Sequence, residues 1–237
     1  MPYFPAHEAL FVHIPKCAGK SIENAFLPDH LDATSGARGP ANSAARWALK
    51  KTASPVPETY LLGTLDVALA AQHLTYVEIE MLGLLTKDQL ERATKFCVVR
   101  DPFTRAISSV LHFSQRFSQH YTLSNRPDAA EIERALSFWI DIEPDDHNVR
   151  AHRRTQSSFV LDSRGENRMD HILRLENLND DFARLREALN VGEAVLPWTG
   201  KSHVSKDYSS LYNASSRDLV RKAFAEDFDR FGYQASV

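Results

Sequence analysis

Short apolar runs alternate with polar loops that contain glycine or proline along much of the chain. The first run, residues 9–15, is rich in β-forming side chains, and the Pro-Lys-Cys-Ala-Gly segment interrupts it, which predicts a buried strand followed by a loop. From Gly19 onward apolar residues recur at helical spacing, and Pro28 ends that pattern. The opening of the chain therefore predicts a strand, a glycine-containing loop and a helix.

A second unit of the same kind begins near the middle of the chain. Residues 95–100 form another buried apolar run, and Asp101-Pro102 stops it. The residues after that stop carry an apolar stripe at i, i+3, i+4, i+7 and i+8, which is typical of a helix packed on a sheet. Two strand-loop-helix units predict a parallel sheet. The stripe consists of Phe103, Ala106, Ile107, Val110 and Leu111.

The remaining pattern predicts further helices and one more strand. Helical spacing covers residues 129–142 and 152–161, a turn occupies residues 163–165, and residues 171–176 resemble a third strand with its own helix. Ser215 and Asp218 resemble a capping box before the last helix, which Gly232 ends.

The chain shows neither an internal repeat nor a glycine- and serine-rich linker, so we expect one domain over residues 1–237. Residues 31–60 carry Thr, Ser, Gly, Pro and Ala without clear periodicity, and we interpret them as an irregular insertion with one short helix.

The composition is that of a folded protein and excludes several classes of function. The chain has 237 residues, of which 43% are hydrophobic and 25% charged, with a net charge of −3. A pI of about 6.4 gives no basic surface for nucleic acid. The apolar runs are far shorter than the ~20 residues of a membrane span. Any polyanion that the protein handles must therefore be bound by local charges.

Cysteine usage and the first residues indicate the compartment. Cys17 and Cys97 are the only cysteines, too few for a disulfide scaffold and not in a metal-ligand spacing, so we interpret both as reduced thiols. The first fifteen residues lack the basic region of a signal peptide. We therefore expect a cytoplasmic protein.

The loop at residues 14–21 joins the first predicted strand to the first predicted helix. At a helix N-terminus, backbone N–H groups and the positive end of the helix dipole attract anions such as phosphate or sulfate. Two small residues let the backbone approach a ligand, two lysines add charge, and a serine can donate a hydrogen bond. Cys17 is interpreted as packing within the loop. The candidate binding residues are Lys16, Cys17, Ala18, Gly19, Lys20 and Ser21.

A nucleotide triphosphatase loop is the nearest motif by spacing. Gly19-Lys20-Ser21 fits the second half of G-x-x-x-x-G-K-[ST], but the first glycine of that motif would fall at Ile14, inside the strand. The second predicted strand also ends at Arg100, where such enzymes carry an acidic residue for magnesium. A magnesium-dependent nucleotide kinase or NTPase stays an alternative.

A second candidate anion site follows the second predicted strand. Arg100 stands where open α/β sheets bind ligands. Arg105 and Ser108 are three residues apart, so we expect them to share a helix face and to suit a second phosphate group. We predict that Arg100 and Ser108 bind that phosphate.

Taken together, the two motifs resemble those of sulfotransferases that use 3′-phosphoadenosine 5′-phosphosulfate (PAPS). In that superfamily a Pro-Lys-x-x-Gly-x-Ser loop binds the 5′-phosphosulfate and an Arg-Asp-Pro-x-x-Arg-x-x-Ser segment binds the 3′-phosphate. The likeness is closer to the branch containing heparan sulfate 2-O-sulfotransferase and bacterial relatives. Later segments with similar landmarks include Gln156-x-x-Phe159, residues 173–178 and residues 227–233.

This resemblance implies a fold, a donor and an acceptor. The fold would be α/β, a single P-loop NTPase-like domain with a parallel sheet of about five strands flanked by helices. The reaction would be in-line transfer of a sulfuryl group from PAPS, without a metal, to a hydroxyl of a carbohydrate or glycoconjugate. A catalytically silent nucleotide-binding protein of the same fold is a further alternative.

The resemblance also implies catalytic residues. Lys16 would neutralise charge on the leaving oxygen. His73 occupies the interval in which carbohydrate 2-O-sulfotransferases have a catalytic histidine, and a histidine accepts protons near neutral pH. Glu176, at the predicted end of the third strand, is the alternative base. We interpret His13 as a core histidine bonded to the backbone.

Overall fold

The computed structural model describes residues 3–4, 7–26, 73–83, 85–143, 147–192, 196 and 208–235. The insertion predicted at residues 31–60 and its short helix lie outside the described residues. The described residues form two compact units, one within Met1–Val99 and Ser158–Thr199, the other within Arg100–Ser157 and Gly200–Val237.

The first unit contains a sheet whose strand order follows the chain. Within the described residues the sheet has four strands, and the fifth strand stays a prediction. The second and third strands are parallel, as are the third and fourth, which confirms the parallel arrangement, whereas the first strand pairs antiparallel with the second. The strands are β1 (Tyr3–Phe4), β2 (Ala9–Val12), β3 (Thr94–Val99) and β4 (His171–Arg174).

The helices include those that the apolar periodicity predicts. In the described residues they are α1 (Gly19–Phe26), α2 (Tyr76–Met81), α3 (Lys87–Arg92), α4 (Pro102–Phe113), α5 (Ala129–Asp141), α6 (His147–Arg153), α7 (Ser157–Val160), α8 (Leu178–Ala188), α9 (Ala214–Ala223) and α10 (Ala225–Phe231).

Three helix predictions are wrong in detail. The helix expected over residues 152–161 is broken, because α6 ends at Arg153 and α7 begins only at Ser157. The capping box before α9 is formed by Asn213 and Ser216 instead of Ser215 and Asp218. The helix predicted to run from that capping box to Gly232 is two helices, because α9 ends at Ala223. Gly232 ends α10, in the left-handed conformation with φ of 63°, which glycine adopts without steric cost.

Each unit has its own apolar core. In the first unit, β2 is fully buried and Phe26 of α1 stacks on Phe4 with ring centroids 4.3 Å apart. In the second unit, α4, α5 and α9 pack around Trp139, which is 1% exposed. No helix among the described residues is long and apolar enough to cross a membrane.

Candidate functional site

The loop between β2 and α1 has an unusual backbone. Lys16 and Ala18 adopt left-handed conformations with φ of 67° and 59°, and Cys17 between them does not. A left-handed conformation costs a non-glycine residue roughly 1–2 kcal/mol, and such strain concentrates at ligand-binding sites. Left-handed residues also occur in loops whose successive N–H groups turn toward one side and form a concave anion site.

Helix α1 begins directly after this loop. The N–H groups of Ser21 and Ile22 bond to the Ala18 carbonyl at 2.9 and 3.2 Å. The first N–H groups of a helix have no acceptor within the helix, so Gly19 and Lys20 present theirs at the α1 N-terminus. Lys20 is exposed and Ser21 is buried. The local geometry therefore suits an anion at the start of α1.

Cys17 is part of the packing beneath the loop. Its side chain is 1% exposed, and its Sγ donates to the Pro15 carbonyl at 3.4 Å. Burial raises the pKa of the Cys97 thiol on β3, and the proximity of Cys17 adds to the rise. The Cys97 thiol is therefore not suited to act as a nucleophile, since the thiolate is the reactive form.

A buried histidine and a buried carboxylate lie under the first turn of α1. The Nδ1 atom of His13 is 2.8 Å from Oε1 of Glu23, and their side chains are 6% and 3% exposed. The prediction that His13 is a core residue is confirmed, but its side chain bonds to a carboxylate instead of the backbone. A β-carbon built on Gly19 would lie 1.6 Å from Nε2 of His13, so residue 19 has no space for a side chain.

His73 lies beside His13. Its Nδ1 atom is 3.1 Å from the His13 carbonyl oxygen, and the two rings meet edge to face with centroids 4.5 Å apart. A carbonyl oxygen only accepts, so Nδ1 of His73 carries the proton and donates it. In the neutral ring the lone pair is then on Nε2, which is the tautomer that can accept a proton at that atom.

Arg100, the first residue of the second unit, is held by two hydroxyl groups. Its Nε donates to Oγ1 of Thr104 at 2.9 Å and its Nη2 donates to the Tyr208 hydroxyl at 3.1 Å. The guanidinium carbon also lies 5.7 Å from the centroid of the Tyr208 ring. These contacts hold the guanidinium in a defined orientation while the residue is 9% exposed.

The backbone of Arg100 is clamped by an amide side chain. The Arg100 N–H donates to Oε1 of Gln156 and Nε2 of Gln156 donates to the Arg100 carbonyl, both at 2.8 Å. Gln156 and Ser157 in turn donate their own N–H groups to the carboxylate of Asp227 at 2.8 Å. Gln156, Ser157 and Asp227 are each 0% exposed. A buried chain of hydrogen bonds therefore extends from the C-terminal helices to Arg100.

Asp101 explains why the Arg-Asp-Pro sequence starts a helix. Its side chain accepts from the Thr104 N–H at 2.8 Å, and Pro102 occupies the first helical position. Aspartate is a favoured N-cap residue and proline needs no hydrogen-bond partner at that position. The same turn brings the Thr104 hydroxyl to the Arg100 side chain.

Arg105 does not form the second phosphate site that the spacing predicted with Ser108. Its guanidinium is buried, and it donates to the carbonyls of Arg154 and His152 at 3.0 and 3.4 Å. Carbonyls at the end of a helix lack partners within it, which explains why a buried arginine is placed there. Ser108 is half-buried on α4.

Glu176, the alternative base, lies in a 3₁₀ turn at Leu175–Asn177 that follows β4, and its side chain is exposed. The strand expected over residues 171–176 is therefore two residues shorter. Within the described part of the chain, no three His, Cys, Asp or Glu residues are grouped so that they could hold a metal ion.

The structure brings some predicted site residues together. Within the first unit, His73 bonds to the His13 carbonyl, and the His13 ring occupies the position that a side chain at Gly19 would take. Arg100 and Ser108 belong to the second unit. Sequence reasoning missed Glu23 and Thr104, although Glu23 stands four residues after Gly19, the spacing of two residues on one helix face.

Three comparisons with known proteins give one finding about the chain as a whole. Searches among curated proteins and among solved structures return no match. The sequence profile described as the sulfotransferase family matches residues 2–234. Because that match covers nearly the whole chain, the protein belongs to the sulfotransferase family.

Proposed function

We propose that the protein transfers a sulfuryl group from PAPS to a hydroxyl of a carbohydrate acceptor. Membership of the sulfotransferase family supports sulfuryl transfer. The observation that carries the choice of donor is the loop before α1, where left-handed Lys16 and Ala18 precede a helix N-terminus. That arrangement fits a phosphate-like anion.

We assign one set of residues to each of the two anionic groups of PAPS. The loop and Lys16 bind the 5′-phosphosulfate, and the absence of a side chain at Gly19 keeps the backbone accessible to it. Arg100 and Ser108 bind the 3′-phosphate, with Thr104 and Tyr208 orienting the guanidinium. When bound, PAPS supplies the sulfuryl group, and its bisphosphate portion is the leaving group.

Lys16 and His73 have different roles in this reaction. The ammonium group of Lys16 stabilises negative charge that develops on the leaving side. Nε2 of His73 accepts the proton of the acceptor hydroxyl, because Nδ1 is committed to the His13 carbonyl. Glu176 is the second candidate base, since its exposed carboxylate follows β4.

Transfer of sulfur-35 from labelled PAPS to a panel of polysaccharides tests the proposal. As a general base, His73 contributes roughly 10²–10⁴-fold to turnover. We therefore expect His73→Ala to lose most transfer while 3′-phosphoadenosine 5′-phosphate binds as in the parent. Lys16→Ala weakens both, because Lys16 contacts the donor before and during the reaction.

The matched control is His171→Gln, which changes a histidine at the start of β4. It is expected to transfer sulfate at the parental rate. Near-parental turnover of His73→Ala would refute the assignment of the base, and Glu176→Gln would then be the variant to measure. Absence of transfer from PAPS to every polysaccharide, together with tight ATP binding that requires magnesium, would refute the proposed donor.

A further inference from the structure

The side chain of His13 is held from two sides within the first unit. Nδ1 lies 2.8 Å from the Glu23 carboxylate, and an ionised carboxylate only accepts, so the ring donates there. Its other edge lies against the α-carbon of Gly19, where an added β-carbon would be 2.2 Å or less from three ring atoms. The ring therefore cannot turn or shift toward α1 without a collision or the loss of that hydrogen bond.

The same residue also determines the environment of His73. The His13 carbonyl accepts from Nδ1 of His73 at 3.1 Å, and the His13 ring contacts the His73 ring at 73° between planes. Backbone and side chain of one residue thus fix both the proton position and the plane of the His73 ring. Both histidines are buried, with exposed fractions of 5% and 7%.

We infer that His13, anchored by Glu23, is a positioning residue that keeps His73 in the tautomer with its lone pair on Nε2. This inference rests on the proposed function only where it concerns turnover, because the tautomer itself can be observed without substrate. Glu23 contacts the His13 side chain, and His13 contacts His73. Neither residue touches the acceptor hydroxyl in this scheme, so neither is a catalytic residue.

The physical reason for such an arrangement is the choice between two neutral forms. A neutral histidine carries its proton on either ring nitrogen, and its hydrogen-bond partner selects one of them. Free neutral histidine in water favours the proton on Nε2. In that form Nε2 has no lone pair with which to accept a proton from the acceptor hydroxyl. A fixed carbonyl opposite Nδ1 reverses this preference, provided that the carbonyl itself stays in place. The anchored His13 ring holds the His73 ring against that carbonyl through their edge-to-face contact.

Long-range proton–nitrogen NMR spectra of nitrogen-15-labelled protein identify the protonated ring nitrogen of each neutral histidine. His73→Gln and His13→Gln spectra assign the two signals among the ten histidines. We expect both rings to carry the proton on Nδ1 in the parent. A proton on Nε2 of His73 in the parent would overturn the inference, independently of the measured turnover.

Two variants of Glu23 separate positioning from simple structural support. Glu23→Ala removes the anchor, and we expect His73 to shift toward the Nε2–H form and kcat to fall by up to about 10²-fold, the scale of a misplaced catalytic group. The acceptor KM should stay nearly unchanged. Glu23→Gln keeps an oxygen that accepts from His13 and is expected to recover most of the lost turnover.

A control variant tests whether the loss of any hydrogen bond in this sheet has the same effect. Asp170 accepts from the Lys95 N–H at 2.7 Å, near the opposite ends of the strands. Asp170→Ala should destabilise the unit and leave the His73 signals as in the parent. If Glu23→Ala does not fold, the His73 tautomer in Gly19→Ala is measured instead, because the added β-carbon must displace the His13 ring.

The outcomes distinguish this inference from the proposed function. Unchanged tautomer and kcat in folded Glu23→Ala would overturn the positioning role of Glu23 and His13. The His73 tautomer could shift as expected in Glu23→Ala while His73→Ala keeps the parental turnover. That combination would support the positioning role and refute His73 as the base.

Discussion

Replacing Gln156 by leucine tests how the second unit holds Arg100. The amide of Gln156 exchanges two hydrogen bonds of 2.8 Å with the backbone of Arg100, and both residues are buried. Leucine has a similar size and no polar atom. In Gln156→Leu the Arg100 N–H and C=O both lose this partner.

The magnitude follows from those two groups. A buried backbone group without a partner costs about 1–3 kcal/mol. Two such groups lower the free energy of unfolding by roughly 2–6 kcal/mol. Gln156→Glu keeps the acceptor for the Arg100 N–H but places a carboxylate against the carbonyl, so we expect it to lose stability as well.

Two measurements test this expectation. Urea unfolding followed by tryptophan fluorescence gives the stability, since Trp139 is buried in the same unit. Calorimetry then compares 3′-phosphoadenosine 5′-phosphate with 5′-AMP. We expect Gln156→Leu to lose about tenfold in affinity for the bisphosphate, which is about 1.4 kcal/mol, and to bind 5′-AMP as the parent does.

The matched control is Gln115→Leu, an exposed glutamine after α4. Surface substitutions of this kind change stability by about 0.5 kcal/mol or less. Parental stability and parental discrimination between the two nucleotides in Gln156→Leu would refute the argument. A loss of affinity for both nucleotides in equal measure would also refute it, because Arg100 is assigned to the 3′-phosphate alone.

Two further predictions follow from single residues. Arg100→Ala should lose ~1.5–3 kcal/mol of bisphosphate binding, the scale of a charged hydrogen bond, in calorimetry without magnesium, and normal binding would refute the assignment. Burial raises the pKa of Cys97, so the unfolded chain loses the thiol proton at a lower pH than the folded protein. The resulting stabilisation is complete below about pH 8.5, and above it the free energy of unfolding falls by up to about 1.4 kcal/mol per pH unit. Urea midpoints of Cys97→Ala should therefore fall less between pH 8.5 and 10 than those of the parent, and equal slopes would contradict this.

Local periodicity was sufficient for several elements of the two units. The apolar runs predicted β2 and β3 within a few residues of their observed ends, and the stripe after Arg100 predicted α4. These elements bury their apolar side chains in a repeating pattern, so their spacing along the chain carries the information. The antiparallel β1 is two residues long, too short to produce a pattern.

The failures occur where distant residues decide the local conformation. The helix expected over residues 152–161 breaks because the N–H groups of Gln156 and Ser157 bond to Asp227, about 70 residues further along. Arg105 shares a helix with Ser108, yet the carbonyls at the end of α6 bind its guanidinium. The spacing of residues along the sequence predicts which of them share a helix face. It does not reveal hydrogen-bond partners that are distant in the sequence.

Gly19 shows the same limit within a motif that the sequence did identify. Glycine in such a loop is commonly attributed to a positive φ, but the left-handed residues here are Lys16 and Ala18. Gly19 is required because the His13 ring occupies the position of a side chain, and Glu23 holds that ring there. The identity of residue 19 therefore depends on residues 13 and 23. We therefore expect Gly19→Ala or Glu23→Ala to alter both the start of α1 and the orientation of His73.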